Sequence, residues 1–451
     1  MRHTPARASR SRPGDRGPVL LRPLADFLAK ETASAVVVLG AAIVALIWAN
    51  SPWDGSYRSL WTSQLGGTLA GHTLSMDLRH WVSDGLMALF FVVVGLEIKR
   101  ELVDGELRDR RRAALPAIGA LGGMVAPAAV FALVNLGGSG LRGWGVPMAT
   151  DIAMAIAVVT VLGSRVTPAM KVFLLALAIV DDIGAIVVIA MFYSDDTNLW
   201  LLGGAVAVVA AVVTMRKLGV RSIGAYVIAG LALWLVLHEA GVHATIAGVV
   251  MGLMCPARPH CPREYFDVAE ADELVDLSSA AAARRTVALA RGSVSVIDWL
   301  EHQLHPWTSF VILPLFALAN SGVQLNPQSF ADAMGSKVTL GVIAGLVVGK
   351  PVGISAAVWL AVRFRVGLLP PGATLRHVVG LACVAGVGFT VAILVASLAF
   401  EDPVLRDRAV IGVLVGSLAA ALGGIALLWS ASTEKPQSAL RDERAGPRQS
   451  H

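Results

Sequence analysis

The stretch Leu175-Ala-Leu-Ala-Ile-Val-Asp-Asp-Ile-Gly-Ala185 sets two adjacent carboxylates, Asp181 and Asp182, inside an apolar run over 169–193. Roughly 20 helical residues cross a hydrocarbon core about 30 Å thick, so this run is long enough to span one. The rest of the chain is built the same way. Of 451 residues, 55% are hydrophobic and 15% charged, against about 25% charged in soluble domains. Too few polar residues remain to cover a soluble surface of this size. Further apolar runs fall near 33–50, 81–100, 114–135, 145–162, 198–215, 223–237, 241–254, 306–321, 338–362, 378–400 and 409–430, which makes twelve with the first. They are continuous rather than alternating, which favours helices over a barrel. Three cysteines exclude a disulfide framework. The fold class is therefore an all-α polytopic membrane protein with about 12 transmembrane helices.

The net charge of +5 lies between the spans, so it marks a membrane surface and not a nucleic-acid partner. Lys and Arg crowd every second connection: the N-terminal tail, 99–112, Arg165 with Lys171, Arg216 with Lys217, 258–291, Arg363 with Arg376, and the C-terminal tail. The alternate connections are poor in base; only Arg406 and Arg408 run against the trend. By the positive-inside rule both termini are cytoplasmic. Residues 1–30 read as a basic cytoplasmic tail rather than a cleavable signal, 31–431 as the transmembrane domain, and 432–451 as a polar cytoplasmic tail. Segment 51–80 is too polar to span; with Gly66-Gly67 between short apolar pieces it suggests an extracytoplasmic hairpin or loop. Residues 255–294 form the long cytoplasmic loop.

A charged side chain at mid-membrane costs ~2.5–3.5 kcal/mol on insertion scales, so it requires a partner, a cavity or a task. Asp84, Glu97 and His243 lie nearer the ends of their spans, whereas Asp151, Asp181, Asp182 and Lys350 are deep. Asp181 and Asp182 stand about 100° apart around the helix axis. One can face a water-filled cavity while the other turns to a neighbouring helix, and Lys350, the one deep base, is the natural counter-charge. Such a cluster holds either a hard monovalent cation such as Na⁺ or protons, and competition for one site suffices for exchange. A buried ion network that only ties helices together is the competing reading, although buried ion pairs are poor stabilisers. Gly143, Gly145 and Pro147 before Ala149-Thr150-Asp151, and Gly380, Gly386 and Gly388 before Thr390, mark two discontinuous helices. Such breaks are tolerated where backbone lines a cavity. Facing half-helices would set Asp151 against their positive ends and Lys350 against their negative ends.

Over about residues 24–430 the chain resembles the bacterial NhaA-type Na⁺/H⁺ antiporters. The matching runs are Asp84-Gly-Leu-Met-Ala-Leu-Phe-Phe, Val94-Gly-Leu-Glu-Ile-Lys-Arg-Glu-Leu102, Ala149-Thr-Asp-Ile-Ala153 and the stretch 175–185. To these add Gly241-Val-His-Ala-Thr-Ile-Ala-Gly248, Leu300-Glu-His-Gln-Leu-His-Pro-Trp307, Leu313-Pro-Leu-Phe-Ala-Leu-Ala-Asn320, Gly349-Lys-Pro-Val-Gly-Ile-Ser355 and Gly386-Val-Gly-Phe-Thr390. The resemblance implies two broken helices crossing in an inverted repeat. It implies electrogenic export of Na⁺, and of Li⁺, against incoming protons by alternating access, serving pH and sodium homeostasis in a bacterial plasma membrane. No enzymatic activity and no cofactor are implied.

Residue by residue, the resemblance implies that Asp181 and Asp182 bind ions and protons, with Asp182 the direct Na⁺ ligand and Lys350 the partner of Asp181. Thr150 and Asp151 would assist from the broken helix. Members are switched on at alkaline pH. Glu97 and Glu101 share a helix face with Arg100 beside them, and His302 and His305 are spaced i, i+3; with His243 these are the pH-sensing candidates. Segment 51–80 is the candidate arm for a homodimer. Asp298 falls where the best-known members carry a base, which sets the pH profile apart rather than the transport chemistry.

Other readings fit less well. Cys255, His260 and Cys261 lack a fourth ligand at zinc spacing. No Gly-x-x-x-x-Gly-Lys-Ser/Thr loop is present for ATP-driven pumping. An intramembrane aspartyl protease would need a Gly-x-Gly-Asp setting that neither Asp151 nor Asp181 has, and a passive cation channel would not require Lys350.

Overall fold

The computed structural model describes residues 21–69, 72–194, 198–220, 222–257 and 295–431. The expected C-terminal tail, residues 1–20 of the N-terminal tail, and 258–294 of the long loop lie outside the described residues. Helix α1 (Leu21–Ala49) takes in the last ten residues of the stretch expected as tail. It leads to the short α2 (Asp54–Trp61) and a two-stranded antiparallel hairpin, β1 (Gln64–Leu69) with β2 (His72–Asp77). Gly66 and Gly67 lie inside β1, opposite Ser75 and Leu74, rather than at its turn.

Helices α3 (Leu78–Val103) and α4 (Arg110–Val134) follow, then the first bent pair: the 3₁₀ segment α5 (Ser139–Met148) and α6 (Ile152–Val161). After α7 (Pro168–Phe192) and α8 (Leu199–Lys217) come the shorter α9 (Ile223–Glu239) and α10 (Thr245–Met254). A continuous helix over 296–320, α11, is followed by the short α12 (Pro327–Met334) and by α13 (Lys337–Arg363). The second bent pair is α14 (Leu375–Ala385) with α15 (Phe389–Ala399), and α16 (Pro403–Ser430) closes the described chain. Seven of these helices are long and apolar enough to cross a membrane, and each bent pair, turned by 50°, makes one more crossing. That gives nine crossings among the described residues, and α9 and α10 are apolar but shorter. The hairpin lies at one end of the bundle and residues 21 and 430 at the other.

Local chemistry sets the helix ends and breaks. Thr167 caps α7 through the Met170 amide and Pro168 occupies its first turn, where a missing N–H costs nothing. Of three π turns among the described residues, Thr308–Ile312 and Gly345–Gly349 each end two residues before a proline, Pro314 and Pro351, whereas Trp81–Leu86 in α3 has none. A proline inside a helix clashes with the carbonyl four residues back, and the wider turn relieves that clash. The turn at Gly345–Gly349 delivers Lys350.

Glycine governs how closely the helices approach. A Cβ on Gly248 would lie 2.0 Å from the Ala88 carbonyl oxygen, and one on Gly252 2.4 Å from that of Val92, so α10 rests directly on α3. Gly122 and Gly353 meet in the same way between α4 and α13, with a built Cβ 2.3 and 2.1 Å from the opposing carbonyl oxygen. Without a hydrophobic drive between helices in lipid, such close backbone contact carries the association.

Candidate functional site

The two bends meet at mid-bundle. Asp151 N–H donates to Val387 O at 2.7 Å, so the break of α5–α6 is hydrogen-bonded to the break of α14–α15. Asp151 is the N-cap of α6: its Oδ1 accepts from the Met154 amide at 3.1 Å. Its Oδ2 reaches across to α15, accepting from Thr390 N–H at 3.0 Å and from Thr390 Oγ1 at 2.6 Å. One carboxylate thus sits at two half-helix N-termini, where the aligned peptide dipoles favour negative charge. Thr390 was visible in the sequence only as part of the break, and its contact to Asp151 was not anticipated.

Lys350 occupies the C-terminal dipole end of α5. Fully buried, it donates from Nζ to Met148 O, the last carbonyl of α5, and to Asp181 Oδ2 at 2.7 Å. Thr150 Oγ1 lies 2.6 Å from the same Asp181 oxygen and 2.9 Å from Ala385 O, and its single proton serves one of them at a time. The structure therefore brings Asp181, Lys350 and Thr150 into direct contact and places Asp151 one bond away through the backbone. Asp182, also buried, faces elsewhere. The Oδ1 atoms of both Asp181 and Asp182 are buried with no hydrogen-bond partner among the described residues. On the hairpin side of Asp182, an apolar cavity is lined by Phe91, Ile186, Ile189, Thr245, Ile246 and Val249.

At the end away from the hairpin, Arg100 of α3 pairs with Glu301 of α11 at 2.5 Å. His305 Nε2 lies 2.8 Å from Glu31 Oε1 of α1. These groups precede the apolar part of α11, residues 306–320. Contact with Glu31 pushes the His305 imidazole up from its ordinary range, against the opposing effect of burial. Burial pushes the Glu301 carboxyl up, against the pull of Arg100. Glu97, one turn deeper, lies within electrostatic range of Glu301, Glu31 and His305 on one side and of Asp182 on the other. Glu101 is half-buried at the end of α3, where a Cβ built on Gly105 would fall 2.1 Å from its Oε2.

Two of the sequence candidates stand apart from this cluster. His302 is exposed. His243 lies at the hairpin end, with Nε2 2.7 Å from Tyr193 O. Asp298 serves the start of α11: the Ser295 hydroxyl lies 2.7 Å from Asp298 Oδ2 and accepts from the Asp298 amide at 3.0 Å.

The family model described as "Na+/H+ antiporter 1" matches residues 25–428. The chain belongs to this Na⁺/H⁺ antiporter family. Curated relatives agree along nearly the whole length. "Na(+)/H(+) antiporter NhaA 3" of Frankia alni is 46% identical over 404 residues, covering 89% of this chain and 87% of that protein. "Na(+)/H(+) antiporter NhaA 2" of Myxococcus xanthus is 44% identical over 432 residues, covering 93% and 92%. "Na(+)/H(+) antiporter NhaA" of Rhodopirellula baltica is 43% identical over 417 residues, covering 90% and 94%.

The antiporter is thus a multi-pass membrane transporter exchanging Na⁺ for H⁺, not an enzyme, and its fold is the NhaA fold. The sequence had not pointed to Glu31. It stands at the edge of a polar stretch and gains meaning only from a histidine far along the chain.

Proposed function

We propose that Asp181 and Asp182 are the shared ion- and proton-binding pair of the antiporter, with Asp182 the direct Na⁺ ligand. One observation carries this reading: two adjacent buried carboxylates each leave an oxygen without a donor among the described residues, beside one buried ammonium. Hard cations take oxygen ligands, and an unpartnered carboxylate oxygen accepts either such an ion or a proton. Lys350 balances Asp181 while the site is empty of cations. Thr150 and Asp151 hold the two breaks around it, and Lys350 and Asp151 offset the facing dipole ends. Entry of Na⁺, or of Li⁺, at Asp182 displaces protons, and the crossed breaks give alternating access as the helices carrying them shift. Two carboxylates against one monovalent ion allow more protons to move than Na⁺, which makes the exchange electrogenic.

The termini face the cytoplasm of a bacterial cell, because the basic connections gather at their end of the bundle. On this reading Glu97, Glu101, Arg100, His305 and His302 line the cytoplasmic mouth and set the pH response, with His243 acting from the other end. Segment 51–80 projects as the arm of a homodimer. The test is the collapse of a preformed ΔpH in everted vesicles on adding Na⁺, Li⁺ or K⁺ across pH. Na⁺ and Li⁺ dissipate the gradient, and Asp182→Asn abolishes the response. Exchange at the parental rate in that variant would show that the ion binds elsewhere.

A further inference from the structure

We propose that His377 is a positioning residue for antiport: as a neutral ring it closes the first turn of α14 and holds the second break against the first, and its protonation releases that hold. The inference rests on the reading that the crossed breaks carry transport. His377 is fully buried at the third position of α14. The Thr374 backbone N–H donates to its Nδ1 at 3.2 Å, and Thr374 Oγ1 lies 2.8 Å from the same nitrogen. A backbone amide can only donate, so Nδ1 carries the lone pair and the ring proton sits on Nε2. That Nε2 is buried with no partner among the described residues.

The reach-back acceptor at this position of a capping box is ordinarily Glu or Gln. An imidazole does the same task only while neutral, and it is the side chain that titrates between pH 5 and 8. Protonation puts an N–H on Nδ1, which the Thr374 hydroxyl oxygen can accept, but it takes the lone pair from the Thr374 backbone N–H and adds a charge where Nε2 has no acceptor among the described residues. Among the described residues, the elements packed against this turn offer no carboxylate to hold an imidazolium. The charged groups they carry at this end are Arg363 of α13, Arg165 after α6 and Lys171 of α7, with Arg376 on α14 itself. All are cations, and α16 carries no charge at this end.

The far end of α14 is the crossing. Ala385, about 12 Å along the axis from His377, offers its carbonyl to Thr150, and Val387 offers its own to the Asp151 amide. A loosened first turn lets α14 shift along its axis and draws those carbonyls off Thr150 and Asp151. Each pH unit below the ring's pKa cuts the capped population about tenfold. The device thus works in the direction of activation at alkaline pH, and from a different helix than the Glu31–His305 and Arg100–Glu301 contacts.

Hydrogen–deuterium exchange of the intact antiporter in detergent, from pH 5.5 to 9, reads the cap directly. After correction for intrinsic rates, a peptide spanning 374–380 should lose about fivefold protection toward acid, one hydrogen bond's worth. His377→Gln keeps an acceptor that does not titrate, so its protection should be flat with pH. In vesicles the acid limb of its exchange profile, normalised to its own maximum, should move to lower pH by about half a unit or more. Parental protection that is flat with pH, or a His377→Gln profile that superimposes on the parent, overturns the proposal. If the variant does not accumulate, the parental exchange alone decides. A parental level of transport in Asp182→Asn would instead overturn the ion-site reading and leave the exchange result on His377 standing.

Discussion

Replacing Lys350 by Met removes the ammonium that Asp181 faces while keeping a flexible side chain of similar length. Both partners are almost wholly buried, at 0% and 1% side-chain exposure, and are joined at 2.7 Å. In Lys350→Met, Asp181 keeps the Thr150 hydroxyl on Oδ2, and its Oδ1 has no donor among the described residues. Removing one partner of a buried pair costs ~3–5 kcal/mol, because the remaining charge is left uncompensated. Asp181→Asn strands the Lys350 ammonium on the Met148 carbonyl and should cost about the same. The double variant carries neither charge, and neutral replacement of a buried pair is close to energetically neutral. Each single change should therefore cost ~3–5 kcal/mol and the pair together about 1, a non-additivity on the order of 5 kcal/mol or more. Equilibrium unfolding of the purified antiporter in detergent, by denaturant titration on all four proteins, measures this. Additive losses with each single change below about 1 kcal/mol would show that the contact is not a charged pair, and would remove Lys350 as the counter-charge of the site.

Two further outcomes follow from contacts outside the ion site. The Glu31 contact raises the His305 pKa in the folded state, so its stabilisation is complete below the unfolded value near about 6.5 and is lost as pH rises through the folded value. Glu31→Gln should then cost about 1–3 kcal/mol near pH 5.5 and little near pH 9, read as paired melting curves; an equal cost at both would refute the pairing. Gly248→Ala drives a Cβ into the Ala88 carbonyl, a backbone atom that cannot swing away, and should cost about 1–3 kcal/mol or block assembly. Gly203→Ala on α8, with nothing within 4 Å of its Cβ, should melt like the parent, and equal losses at both positions would refute the close-packing account.

What the sequence disclosed follows from the cost of polar groups in lipid. A span must be long, apolar and internally hydrogen-bonded, so twelve runs and two Gly-rich breaks could be read from composition alone. The same cost makes deep charges scarce, so Lys350 could be matched to the Asp181–Asp182 pair by elimination, before any contact was known. Elimination fails at the bundle ends, where charge is cheap and many partners are within reach. His302 and His305 share the i, i+3 spacing, yet only His305 turns inward to Glu31, a choice made by the packing of α1 against α11. It fails again where a neutral group does the binding. Thr390 and His377 carry no charge to mark them, and each acts through hydrogen bonds that exist only once the breaks have crossed or the turn has formed. The prolines at 314 and 351 were in plain view, but the π turns that relieve them depend on room left by neighbouring helices; at Gly345–Gly349 that room comes from Gly345 lying against Pro147 and Gly349 against Pro127. Proline alone does not mark such a turn, since Pro127 sits inside the unbroken helix α4; in this chain the residue between the Gly345–Gly349 turn and its proline is Lys350.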